Sequence, residues 1–138
     1  MTRDKCTMDN GHFKETVRQS RLLGANEISV FGYGEPLMDK DLWRKLFLCG
    51  GLKTNLTTNA AFLNDDMTHA LLNSGLKHIR FSAHGFGFGY ERVHKGLKWF
   101  PFVANVMNFI KVNDEKFGHL CNTDVSVIPM HGESIELI

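Results

Sequence analysis

Apolar positions along the chain alternate between two periods. Spacings of three and four predict helices; short runs rich in β-branched residues predict strands. A first helix is expected from roughly His12 to Leu22, with Phe13 and Val17 on one face. Asp9 or Asn10 would cap it, and Gly24 and Asn26 would end it. Ile28, Val30 and Phe31 form an apolar run that reads as a buried strand. A second helix starts at Asp39 or Asp41, carries Leu42 and Leu46 on one face with Trp43 and Phe47 beside it, and stops at Gly50-Gly51. A second strand covers about Lys53 to Thr58. Asn64 to Asp66 caps a third helix carrying Met67, Ala70 and Leu71, with Gly75 just past its end. The third strand is His78 to Ser82, followed by the glycine-rich Gly85–Gly89 loop and a helical stretch near Tyr90 to His94. Pro101 suits the first turn of a longer helix with Val103, Val106, Met107 and Ile110 on one side. A fourth strand, Asp124 to Ile128, and a helix start at Glu133 to Ile138 complete the pattern. Strand and helix alternate throughout, which implies parallel strands joined by helical crossovers, an α/β fold. Periodicity alone leaves an open doubly wound sheet and a barrel equally open.

The first strand ends abruptly at Gly32-Tyr33-Gly34-Glu35-Pro36. Glycine allows a sharp turn and close approach of a ligand, and Pro36 keeps Glu35 out of the helical region. A carboxylate at the carboxyl end of a buried strand is where parallel α/β folds keep ligand sites; it is also compatible with a simple solvated turn. Thr58-Asn59 ends the second strand, and Ser82 the third. These polar residues can line a site or bond their own backbone.

Four segments together resemble the radical SAM superfamily. Gly32–Leu37, GYGEPL, resembles its GGE motif after the second barrel strand. Leu56–Ala60, LTTNA, resembles its TNG strand end, with Ala60 in place of glycine. Ser74–Ser82 and Tyr90–Gly96 resemble two further segments, in the family's order. The resemblance implies a partial (β/α) barrel, of which this chain covers the second to fifth strands as a single truncated core domain, residues 1–138. It implies that Gly34 and Glu35 bind the methionyl ammonium of S-adenosylmethionine and that Thr58, Asn59 and Ser82 line the cofactor pocket. His84 is a neighbour of that set. The family also holds a [4Fe–4S] cluster on a CxxxCxxC loop, and cleaves the cofactor to a 5′-deoxyadenosyl radical that abstracts hydrogen. Tyr90–Gly96 and the ending Gly132–Glu136 look most like members with a C-terminal SPASM-type cluster domain, which implies a peptide or protein substrate.

Composition adds limits. The charged fraction is 22% and the net charge +1, an ordinary globular balance that gives no pull toward nucleic acid or an anionic membrane. No apolar run approaches the roughly 20 residues that span a bilayer. The polar N-terminus carries no signal-peptide core, and three widely spaced cysteines suggest a reducing, cytoplasmic setting. Cys6, Cys49 and Cys121 form no CxxxCxxC triplet, so no metal ligand is assigned and the chain is expected to begin after the cluster loop. His119-Leu120-Cys121 with His131 matches no zinc spacing. The Gly85–Gly89 loop lacks the third spaced glycine of a dinucleotide fingerprint and reads as a loop whose Phe86 and Phe88 cover a site. No acid/base pair or nucleophile elbow stands out, so the catalytic residues stay unknown. Two rivals remain: a cluster-free α/β binding or scaffold module, and a TIM-like enzyme using acid/base chemistry.

Cluster ligation needs several thiolates in one small volume. The chain should therefore fail to assemble a four-iron cluster on its own cysteines. Iron and sulfide content after anaerobic reconstitution checks this; stoichiometric four-iron loading with cleavage of S-adenosylmethionine is the opposing result.

Overall fold

A computed structural model describes residues 7–32 and 34–128 of the protein. Helix α1, Asn10–Leu22, begins at Asp9, whose carboxylate accepts the amides of Gly11 and His12. Strand β1 is Glu27–Val30, and a single 3-10 turn, Pro36–Met38, leads to α2, Leu42–Leu48. Strand β2, Lys53–Thr58, is followed by α3, Asp65–Asn73, capped by Asn64 Oδ1 on the Met67 amide at 2.8 Å. Strand β3 is His78–Ser82, helices α4 and α5 are Phe88–Val93 and Trp99–Phe117, and β4 is Asn122–Ser126.

The four strands form one parallel sheet in the order β1-β2-β3-β4. The α/β class with parallel strands is the one expected from the hydrophobic pattern. Each crossover places its helix on the same face. Leu56, Ile79 and Phe81 of the strands pack there with Leu42, Leu46, Leu71, Leu72 and Phe109 of the helices. Phe81 and Phe109 meet edge-on, centroids 5.7 Å apart, a geometry aromatic pairs favour. The opposite face follows the period-2 alternation and is polar. There Asn55 donates to Glu27 and to Ser29 Oγ, and Asp124 accepts from Arg80 Nε at 2.8 Å and pairs with His78 Nε2 at 2.9 Å. The Arg80 guanidinium, then His78, hold the Asp124 carboxyl below the usual carboxylate range.

Three expectations need correction. Strand β1 stops at Val30, and Phe31 is 69% exposed; the strand is an edge of the sheet, so Ile28 and Val30 are only half-buried. Strand β4 starts two residues earlier than expected and ends at Ser126, leaving Ile128 58% exposed. The cause is Asn113 of α5. Its buried amide donates to Cys121 O at 2.8 Å and accepts Cys121 N at 3.1 Å, while Asn122 N bonds Lys77 O at 2.9 Å. That clamp launches the ladder at Asn122. On α5 the buried face is Phe102, Val106, Phe109 and Val112, with Met107 60% exposed. The large rings take the core in preference to Met107, because they bury more apolar area. The expected helix at Glu133–Ile138 lies outside the described residues.

Cys49 is fully buried and behaves as the small apolar residue expected, its thiol pushed up by burial. Arg21 reaches from α1 to the end of α2, where its Nη2 donates to Cys49 O at 2.8 Å and Gly50 O at 2.5 Å. A guanidinium on the last carbonyls of a helix both satisfies them and complements the dipole. None of the described helices is long and apolar enough to cross a membrane.

Asn113→Ala should leave the Cys121 amide and carbonyl buried without partners. Each such group costs on the order of 1–3 kcal/mol. Urea unfolding should show a loss of unfolding free energy of that size, far exceeding the change for exposed Asn73→Ala; equal losses would show the clamp to be idle.

Candidate functional site

Parallel strands deliver their following loops to one edge, and here that edge carries all five residues singled out from sequence. Glu35 follows β1, Thr58 ends β2, Asn59 follows it, and Ser82 ends β3. Gly34, at φ +120°, adopts a backbone that L side chains rarely take, and it sets Glu35 facing β2.

The Glu35 carboxylate is the hub. Its Oε1 accepts from Thr58 Oγ1 at 2.5 Å and from the Leu37 amide at 3.0 Å; its Oε2 accepts from the Asn59 amide at 2.8 Å. One side chain therefore caps its own 3-10 turn and ties the end of β1 to the end of β2. A carboxylate offers about four lone-pair sites, and among the described residues one on Oε2 meets no donor. Hydrogen bonds of this kind to an ionised group are stronger than neutral ones.

The structure separates roles that the sequence left open. Thr58, buried, joins both readings: its hydroxyl donates to Glu35 and accepts from Ala60 N at 3.0 Å. Asn59 meets Glu35 through its backbone, while its side chain makes a local turn, Oδ1 accepting from Ala61 N at 2.9 Å. Ala60 has φ +57°, the left-handed conformation that favours the glycine it replaces in the TNG resemblance. Ser82 sits in register with Ser126 on the polar face, at the same edge but outside the Glu35 hydrogen-bond cluster.

Tyr90, read from sequence only as the start of a helical stretch and of the Tyr90–Gly96 resemblance, lies close enough to Glu35 to feel its charge. It is 1% exposed and packs against Trp99 and Phe102, centroids 5.5 and 4.9 Å away. Burial, then the nearby negative charge of Glu35, push its phenol up to about 12. Its placement depends on Gly85: a Cβ there would lie 3.0 Å from Gly89 C and Tyr90 N, so only glycine lets the loop pack backbone on backbone. The signal available in sequence was that glycine followed by an aromatic cluster. Of the loop phenylalanines, Phe86 packs edge-on to Trp99 at 5.7 Å and Phe88 is 89% exposed.

The described thiols do not converge. Cys49 ends α2, and Cys121 precedes β4 with its thiol pushed up to about 12 by burial. Both remain protonated at neutral pH and ill-suited to hold metal. His119 is engaged with Asp114 at 2.7 Å. Cys6, Tyr33 and His131 lie outside the described residues.

No family profile matches the chain, and no curated protein matches it. Solved structures do. BtrN in complex with AdoMet and 2-DOIA shares 22% identity at a TM-score of 0.58, over 91% of this chain and 47% of that one. Selenomethionine BtrN in an open conformation shares 20% identity at 0.54, over 86% and 44%. The likeness shows a shared fold, and the chain spans about half the length of these structures.

Glu35→Gln should remove the charge that helps raise Tyr90. The phenol should then titrate lower, though still above its ordinary 10, because burial is the larger cause. Absorbance at alkaline pH reads it; an unmoved midpoint would separate Tyr90 from Glu35. In the parent chain the raised phenol has a stability consequence. The unfolded chain loses its tyrosine proton first, so this contribution is complete below about pH 10 and is lost as pH rises through about 12.

Proposed function

We propose that this chain is the S-adenosylmethionine-binding half of a radical SAM enzyme core, a partial barrel within a longer protein. The single observation carrying the reading is Glu35, a strand-end carboxylate preorganised by Thr58, Leu37 and Asn59 with one lone pair that meets no donor among the described residues. An ammonium is the donor such a site takes best, because charge meets charge. The radical SAM resemblance of four segments, and a fold shared with an AdoMet complex, support the same cofactor.

In this reading Gly34 and Glu35 receive the methionyl ammonium, the buried Thr58 hydroxyl and the Asn59 amide fix the carboxylate, and Ser82 lines the pocket from β3. The radical SAM resemblance implies that a [4Fe–4S] cluster, held by residues other than Cys49 and Cys121, would supply the electron that cleaves bound S-adenosylmethionine for hydrogen abstraction. Cys49 and Cys121 do not fit that cluster, so the role of this half is to bind and orient the cofactor. The SPASM-type assignment adds a peptide or protein substrate; among the described residues it rests on Tyr90–Gly96 alone. The scaffold alternative keeps the same fold without cofactor binding.

The chain should bind S-adenosylmethionine saturably in calorimetry. Glu35→Gln should weaken it roughly tenfold to a hundredfold, the cost of about 1.5–3 kcal/mol for one charge-assisted bond. Binding of 5′-methylthioadenosine, which lacks the ammonium, should be unchanged by the substitution, and exposed Glu115→Gln should affect neither ligand. Absence of saturable binding, or equal loss for both ligands, would sink the assignment.

A further inference from the structure

Among the described residues, three buried side-chain polar atoms lack a hydrogen-bond partner: Thr68 Oγ1, His84 Nδ1 and His94 Nε2. Two of them belong to imidazoles that face each other, centroids 5.4 Å apart and planes 4° apart. His84 lies just beyond β3 with φ +47°, a left-handed backbone held by its surroundings. His94 ends α4, its amide bonded to Tyr90 O at 2.9 Å, and its ring lies 4.5 Å from the Tyr90 ring. Contacts thus run from His84 through His94 to Tyr90, whose phenol lies in the field of Glu35.

A neutral imidazole can leave one nitrogen without a donor at modest cost. A protonated one has an N–H that needs an acceptor and a charge that needs solvation. Among the described residues, neither His84 Nδ1 nor His94 Nε2 has a hydrogen-bond acceptor. The close backbone packing of Gly85 on Gly89 and Tyr90 ties the loop that carries His84 to the start of α4.

We propose that the His84–His94 stack is a proton-operated latch: it holds the six-residue α4, and with it Tyr90 beside Glu35, only while the His94 ring is neutral. The latch does not rest on which ligand Glu35 receives. Its direction follows from the surroundings. Burial first, then the facing His84, lower the His94 pKa below 6.5, and the Ala83 carbonyl opposes them. Of the other charges near α4, Glu91 is tied to Lys98 at 2.9 Å, Arg92 and Lys95 are exposed cations on either side of His94 in sequence, and Glu35 lies beyond Tyr90. The unfolded chain takes up its His94 proton near 6.5, the folded chain lower. The stabilisation is therefore full above about 6.5 and is lost as pH falls through the folded value.

The test uses the full chain with Trp43→Phe, so that Trp99, packed on Tyr90, is the sole tryptophan. Proton NMR follows the His94 ring, fluorescence follows Trp99, and amide exchange follows His94 N–H, from about pH 8 to about pH 5. His94 should titrate below 6.5, with Trp99 emission and loss of amide protection sharing its midpoint. His84→Gln, which removes the facing imidazole, should move the His94 midpoint upward, and His94→Gln should abolish the Trp99 step. A His94 midpoint at or above 6.5, a flat amide-exchange profile through its titration, or a midpoint unmoved by His84→Gln would each overturn the latch. The His84→Gln arm stands even where His94→Gln fails to fold.

Discussion

The Glu35 carboxylate holds together the edge on which the candidate site depends. Parallel strands bond along their length, but their carboxyl ends open into loops that nothing in the ladder constrains. Here one side chain bonds the turn after β1, the last hydroxyl of β2 and the first amide after β2. The same charge reaches Tyr90 on α4 and raises its phenol. Three separate parts of the chain, the turn after β1, the end of β2 and α4, thus meet around one negative group.

The sheet imposes a second division of labour. Right-handed crossovers send every connecting helix to one face, so the core forms there and leaves the other face polar. On that face Arg80 and His78 both bond Asp124, and the Asn55 amide donates to Glu27. A polar sheet face without helical cover suits a lumen in the proposed barrel, with strands β1 and β4 at its borders. Neither border strand has an outer partner among the described residues. Open parallel edges favour association or completion by further strands.

Much of this was legible in the amino-acid order. Apolar spacings of three and four identified the helices, and short β-branched runs bounded by turn residues the four strands between them. The bounds of β2 and β3 agree with the expectation, and Asn64 caps α3 as its type predicts. Gly34-Glu35-Pro36 announced a displayed carboxylate at a strand end, since its turn chemistry is local. Tertiary contacts decided the rest. Only the Asn113 clamp on Cys121 moves β4 to Asn122, a partner eight residues away that no local pattern encodes. Only the competition of Phe102 and Phe109 for core volume turns Met107 outward on α5. Whether Asn59 offers its side chain or its amide to Glu35, and whether Tyr90 and two histidines converge on the same edge, depends on how separate crossovers pack. Local preference fixes the type of each element; register, facing and the meeting of distant side chains are settled by packing against neighbours that sequence spacing does not specify.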